Sequence, residues 1–322
     1  MANHYYSNGK LMITGEYSVL AGATALAVPV SAGQWLEAVS SPGEQGCITW
    51  HTQVKGKHLL SMQFEGLQMK ASWLQGSRSF YDTSRGFIRS ILLAARELNP
   101  DFTGQGVHWE VKTDVSFSLD WGLGSSSSLL SNMAWWAAVD PYDLFFKVSE
   151  GSGYDIACAR SNVPVLYTYR GQHIKPDVTK VAFMPPFAEK MAFIYSGRKQ
   201  NSAESIRAFD PSRVDQRHIE TISHISARLC ESIHLDEFTD LMRQHELLTS
   251  GLLDRKPIQH ILFRDFKGMV KSLGAWGGDF LLAASDGGYD YMKKYFANKG
   301  LLTVFPFRDM VRPHANTRYE KK

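Results

Sequence analysis

Three observations predict an α+β protein of two domains. The chain has 322 residues, enough for one large or two ordinary domains. The stretch 171–186, GQHIKPDVTKVAFMPP, is rich in proline and polar residues and reads as a boundary, giving domains 1–180 and 181–322. Beyond it the patterns run strand, helices, strand, helix, strand, which is an α+β order and not a regular β-α repeat.

Composition supports a sizeable core and excludes some classes of partner. Apolar residues make up 44% and charged residues 21%, ordinary values for a globular protein. A net charge of +3 gives no reason to expect nucleic acid or an anionic membrane as the main partner. Cys47, Cys158 and Cys230 lie far apart with no CxxC pair, which suits a reducing, cytoplasmic setting. MANHYYSNGK lacks a basic start leading into an apolar core, so no secretory leader is expected. No apolar run is long enough to span a bilayer, and SVLAGATALAVPVSAG, broken by glycine and proline, reads as buried strand or helix.

In chain order, residues 4–13 read as a strand interrupted by a turn at Asn8-Gly9. ALAVPVSAGQWLEAVSS continues as strand, and CITWHTQVKGKHLLSMQF alternates and turns as antiparallel strands do. Ser84 to Leu98 has apolar residues at helical spacing and stops at Asn99-Pro100. VHWEVKTDVSFSL reads as a strand pair, and PYDLFFKV as a short helix opened by Asp140-Pro141. KMAFIYSG is a fresh strand, RKQNSAESI turns into a helix, LDEFTDLMRQHELLTSGLL is the clearest helix, and LLTVFPF closes as a strand. Trp135 and Trp136 are expected in the core of their helix. His245 and His260 lack metal-ligand spacing and read as packing or surface residues.

The stretch SLDWGLGSSSSLL carries the chemistry. Gly122 and Gly124 allow positive φ and close approach of a ligand to the backbone. Ser125 to Ser128 then open an apolar helix, whose first turn offers free N–H groups and the positive end of a dipole. That arrangement suits a phosphate, and a neighbouring hydroxyl suits Mg²⁺. The alternative is a Gly/Ser linker, and the stretch is not a Walker A loop. Lys10 and Glu16 sit in a mostly apolar neighbourhood, where charges are costly unless paired or used. Gly151, Ser152 and Gly153 precede Asp155, which either caps a helix or is aimed at a substrate hydroxyl. Ser196, Gly197, Lys199, Asn201 and Ser202 form a polar strand-to-helix turn able to hold an anionic or hydroxylated substrate.

Taken together, these stretches resemble the GHMP small-molecule kinases. Asn8-Gly9-Lys10 with ITGEYSVLAG is similar to that family's first motif, GLGSSSSL to its phosphate-binding motif, and LGAWGGDFLLAA to its third glycine motif. GSGYDIA is similar to the segment holding the family's catalytic aspartate and, with the brief Gly-Lys motif, looks closest to mevalonate and phosphomevalonate kinases of the Gly-Tyr-Asp-Ile-Ala subgroup. The resemblance implies an N-terminal domain like domain 2 of ribosomal protein S5 and a ferredoxin-like C-terminal domain. It implies ATP and Mg²⁺ as cofactors. The amides of Gly122, Leu123, Gly124, Ser125, Ser126 and Ser127 would hold the phosphates, with Gly277 and Gly278 beneath them and Ser126 facing the metal. Asp155 would orient or deprotonate the acceptor hydroxyl, with Lys10 beside it. Glu16, Ser152, Gly153, Ser196, Lys199 and Ser202 would face the substrate. The acceptor implied is a small molecule, mevalonate or its 5-phosphate, and a homodimer is compatible with the fold.

There are departures from the family. Asn8 replaces the usual proline, and Leu144 stands where mevalonate kinases carry a metal-ligating glutamate, leaving Asp143 or Glu150 as substitutes, or the metal to Ser126, phosphates and water alone. Ala275, Trp276 and Asp279 stand where small residues are usual. A sugar or homoserine kinase is the alternative within the superfamily. A non-catalytic nucleotide sensor is the alternative outside catalysis, and RNA binding is disfavoured by the near-neutral charge.

Overall fold

The computed structural model describes residues 2–43, 47–66, 68–104, 106–198, 202–274, 276 and 278–312. The chain forms two compact units whose segments interleave. One comprises Met1–Gly9, Ala32–Leu119 and Leu123–Arg160, and the other Lys10–Ser31, Asp120–Gly122 and Ser161–Lys322. The expected division was into contiguous blocks, 1–180 and 181–322. Interleaving follows from two long strands, β1 (Ala2–Met12) and β2 (Thr24–Pro42), each of which contributes residues to both units.

In the first unit β3 (Cys47–Val54), β4 (Lys57–Glu65), β5 (Lys70–Gly76) and β6 (Val107–Val115) join the end of β2 in the order β5-β4-β3-β6-β2. β3 and β4 are antiparallel, with His51 opposite Ser61, while β3 and β6 run parallel. β3 alternates buried and half-buried residues, as a sheet with one covered face requires. Ile48, Trp50, Leu60, Met62 and Phe64 supply that face and are fully buried. Helix α1 (Arg78–Leu98) contacts β4 and β5, and its buried residues include Ile88, Ile91, Leu92 and Ala95. It starts earlier than the apolar periodicity indicated, because the Ser77 hydroxyl accepts the Phe80 N–H at 3.2 Å and caps it. Helices α2 (Ser125–Trp136), α3 (Pro141–Val148) and α4 (Tyr154–Arg160) complete the unit. Asp140 caps α3 through the N–H groups of Tyr142 and Asp143.

In the second unit the first residues of β2 pair with β7 (Val165–Thr168), and β7 pairs with β8 (Asp177–Lys180). A separate antiparallel sheet is built from β9 (Met191–Tyr195), β10 (Met269–Ser272), β11 (Phe280–Ala284) and β12 (Val304–Pro306), in the order β10-β11-β9-β12. Helices α5 (Ser202–Arg207), α6 (Gln216–Glu231), α7 (Leu235–Leu253), α8 (Ile258–Leu262), α9 (Gly288–Asn298) and α10 (Phe307–Met310) accompany it. β10 and β11 are buried along their whole length. β11 is apolar throughout, whereas β10 carries Lys271 among its buried residues. Met292 and Phe296 of α9 pack with Ile194, Val270 and Leu281, while Phe307 of α10 stacks on Phe193 with ring centroids 5.3 Å apart.

Three local expectations need correction. Asn8-Gly9 is not a turn: Asn8 is buried inside the continuous strand β1, so pairing with β2 overrides the local turn preference. VHWEVKTDVSFSL supplies the single strand β6 and not a pair. Only Trp136 is buried; Trp135 is 51% exposed, with the Arg160 guanidinium 3.9 Å from its ring centroid. Among the described residues no helix is long and apolar enough to cross a membrane. Ser77→Ala is expected to lower unfolding free energy by about 1 kcal/mol, since the cap of α1 is lost without disturbing its apolar face; urea denaturation measures it.

Candidate functional site

Helix α2 begins at Gly124, whose backbone is left-handed at φ 84°, and no side chain caps it. Ser128 N–H is the first to find an intrahelical acceptor, the Gly124 carbonyl at 2.9 Å. The amides of Ser125, Ser126 and Ser127 therefore stand at the helix mouth as orphan donors. Ser126 is exposed, and Ser125 and Ser127 are half-buried. The rest of the serine run is structural: Ser128 donates to Gln34 Oε1 at 2.7 Å and to the Ser125 carbonyl at 3.1 Å. Asn132 donates to the Gln34 carbonyl, and Ser7 Oγ lies 2.8 Å from both Ser131 Oγ and Asn132 Oδ1. Leu123, 1% exposed, anchors the turn from below.

Helix α4 packs on α2, tied by Arg160 to the Ser131 hydroxyl and carbonyl at 3.3 Å. Burial lowers the Arg160 guanidinium to about 10, against the opposing pull of Asp140 and Tyr142. Asp155 lies in the first turn of α4 and is half-buried. Gly151 at φ 114° and Gly153 at φ 80° make the sharp entry, and Ser152 is buried between them.

In the second unit the residues after Lys10 form a strained turn. Ser18 N–H donates to the Glu16 carbonyl at 2.7 Å across Tyr17, whose φ 62° and ψ −46° are rare for any side-chain-bearing residue. Such a conformation costs about 1–3 kcal/mol and persists only where its surroundings over-determine it. Gly15, at φ 89°, has no room for a side chain: a Cβ there would lie 2.7 Å from Ala25 Cβ. Glu16 is 2% exposed and accepts from Lys271 Nζ, itself fully buried on β10. Lys271 also donates to the Ser272 carbonyl at 2.8 Å. His245 Nε2 accepts the Gly15 N–H at 2.8 Å. Burial and the Lys271 and His218 charges push that imidazole well below its usual range. It is therefore neutral with its proton on Nδ1, and its 3.4 Å approach to Glu16 is not an ion pair. Burial raises the Glu16 carboxyl, opposed by Lys271. Glu246, 4% exposed and near both, is pushed up to about 7 by burial.

The third glycine stretch also lies in this unit. Gly122, at φ 63°, abuts Asp279 so closely that a Cβ would sit 2.0 Å from its Oδ2. Ser196 N–H donates to the Asp279 carbonyl at 2.9 Å, and Trp121 packs edge-on against Phe280 and Phe305. Gly278 is buried beside Asp279. Lys199 and Gly277 lie outside the described residues, and Ser202 opens α5.

The first unit thus gathers Leu123, Gly124, Ser125, Ser126, Ser127, Ser152, Gly153 and Asp155, and the second holds Lys10, Glu16, Gly122, Ser196 and Gly278. Sequence reasoning missed Lys271 and Glu246, and noted Asp279 only as a departure from the third glycine motif. A charged residue within the apolar run of β10 was the available signal for Lys271. His245 belongs to the buried cluster, and among the described residues no group of three or more His, Cys, Asp or Glu is placed to hold a metal ion. Leu144 is fully buried in α3.

No protein-family model matches the chain, and no curated protein sequence matches it. Solved structures do. Streptococcus pneumoniae phosphomevalonate kinase, in complex with phosphomevalonate and AMPPNP, is 16% identical with a TM-score of 0.67, covering 94% of this chain and 99% of that one. L. major mevalonate kinase in complex with R-mevalonate is 15% identical, TM-score 0.65, with 97% of each chain covered. Lactococcus lactis galactokinase complexed with galactose is 10% identical, TM-score 0.64, covering 98% of this chain and 94% of that one. The fold is that of the GHMP kinases, α+β along essentially the whole chain.

Glu246 gives the site a pH signature. A carboxyl raised from 4.5 to about 7 on folding stabilises the fold fully below 4.5, and that contribution is lost as pH rises through about 7. At about 1.4 kcal/mol per pH unit the loss approaches about 3 kcal/mol. Glu246→Gln is expected to remove this decline between pH 5 and 8 in denaturation midpoints, while wild type retains it.

Proposed function

We propose that this protein is an ATP-dependent small-molecule kinase that transfers the γ-phosphoryl group to an alcohol or phosphate acceptor. The observation that carries the reading is the uncapped start of α2, where a left-handed Gly124 and three serine amides open the helix. This is the chemistry a triphosphate needs, supplied by backbone groups fixed before the ligand arrives. The shared fold with kinases supports it.

In this reading the amides from Gly122 to Ser127 bind the phosphates, and Gly277 and Gly278 are assigned to the same nucleotide. Ser126 is the only one of these serines that is exposed, so its hydroxyl is the one we assign to Mg²⁺. Bound there, Mg²⁺ would offset phosphate charge. Asp155 holds the acceptor hydroxyl and takes its proton, and Lys10 offsets the negative charge of the transferring group. Phosphoryl transfer asks for little beyond such positioning and electrostatics.

Mevalonate or its 5-phosphate is the acceptor we favour. The GSGYDIA segment and the similarity to structures solved with phosphomevalonate and R-mevalonate support it. A sugar or homoserine acceptor is the second choice, because a galactokinase matches almost as well. The buried Leu144, at a position where a carboxylate would ligate metal, favours a nucleotide sensor as the rival class. We further propose a cytoplasmic location and a homodimer.

The test is ADP release measured across a panel of mevalonate, phosphomevalonate, galactose and homoserine, for wild type and Asp155→Asn. Wild type is expected to turn over one acceptor, and Asp155→Asn to lose at least about a hundredfold in kcat while still binding ATP. Full activity in the variant removes Asp155 from the mechanism, and ATP binding without turnover on any acceptor favours the sensor.

A further inference from the structure

We infer that Lys271 is a positioning residue: its buried bridge to Glu16 dictates the strained Gly15–Ser18 turn and so fixes the strand end that carries Lys10. The turn's residues are gripped by side chains of the same unit. Thr14 Oγ1 lies 2.7 Å from Ser226 Oγ on α6, and Gly15 N–H reaches His245 on α7. Glu16 takes the Lys271 ammonium from β10, and Ser18 Oγ meets His218 Nε2 of α6 at 2.9 Å. Three of these four contacts are hydrogen bonds with no carboxylate or ammonium in them. Only the Lys271 bridge is ionic, and it lies where both partners are withdrawn from water.

That bridge is a poor device for stability. An apolar pair of the same volume generally stabilises a fold as well or better, because neither member must be desolvated as a charge. What an ion pair adds is direction: the carboxylate must face the ammonium, so the backbone carrying Glu16 has one acceptable course. Tyr17 shows the consequence, held in a conformation its own side chain disfavours. Lys271 is also three residues before Gly274, where β10 gives way to the glycine stretch whose Asp279 abuts Gly122. One side chain thus ties the turn after Lys10 to the strand that leads into that stretch. Glu246 Oε1 reinforces the tie by accepting the Ser272 N–H at 3.4 Å.

The experiment compares wild type with the double variant Glu16→Met/Lys271→Met, since Lys271→Met alone would strand a buried carboxylate. Amide hydrogen exchange of the ligand-free proteins, read on peptides covering residues 13–19, is the first measurement. The double variant is expected to melt at or above the wild-type temperature, yet to exchange these amides at least about tenfold faster. Wild-type protection there overturns the inference, as does a double variant that fails to fold, which makes the bridge a stability element. The second measurement rests on the kinase reading. With whichever acceptor wild type uses, kcat is expected to fall at least about tenfold, with KM for ATP and acceptor within about threefold. Unchanged kcat, or a loss confined to acceptor KM, overturns it. If wild type turns over no acceptor the kinase reading fails alone, and the exchange measurement still decides this one.

Discussion

Two opposite charges, withdrawn from water and set against each other, constrain the second unit. The ammonium of Lys271 and the carboxylate of Glu16 are each costly to bury and tolerable only in contact with one another. Around them His245 is kept neutral so that it can accept the Gly15 amide, and Glu246 is driven towards its protonated form. The turn between Gly15 and Ser18 is held within this arrangement. Close packing does the equivalent work at Gly122, where the Asp279 carboxylate leaves no room for even one carbon.

The first unit solves a different problem. Its helix α2 must open towards solvent with its amides unclaimed, and the serine run divides that task. Ser125 to Ser127 leave their N–H groups at the mouth. Ser128, Ser131 and Asn132 turn inward, where Gln34, Ser7 and Arg160 satisfy them. A polar run that looks uniform in sequence is thus half open helix mouth and half buried framework.

Much of this was legible in the sequence because it is local. Glycines with positive φ before a serine-rich helix start, a helix ending at Asn99-Pro100 and alternation in β3 all announce themselves over a few residues. What could not be read depends on partners far along the chain. Asn8-Gly9 has a turn's preference but a strand's pairing. Lys271 is 255 positions from Glu16, and neither residue reveals the other. The interleaving of the units escaped for the same reason, since Lys10–Ser31 clusters with residues that follow it by more than a hundred positions. Trp135 was misread because a helix exposed on one side at that point offers Arg160, and not the core, as its neighbour.

In the proposed kinase, backbone amides at the mouth of α2 grip a triphosphate. Protein labelled with ¹⁵N-serine and ¹⁵N-glycine, titrated with magnesium and AMPPNP, reports on those amides directly. The largest shifts are expected on Gly124, Ser125, Ser126 and Ser127, saturating with nucleotide. Saturable nucleotide binding that leaves these four resonances in place would contradict this reading.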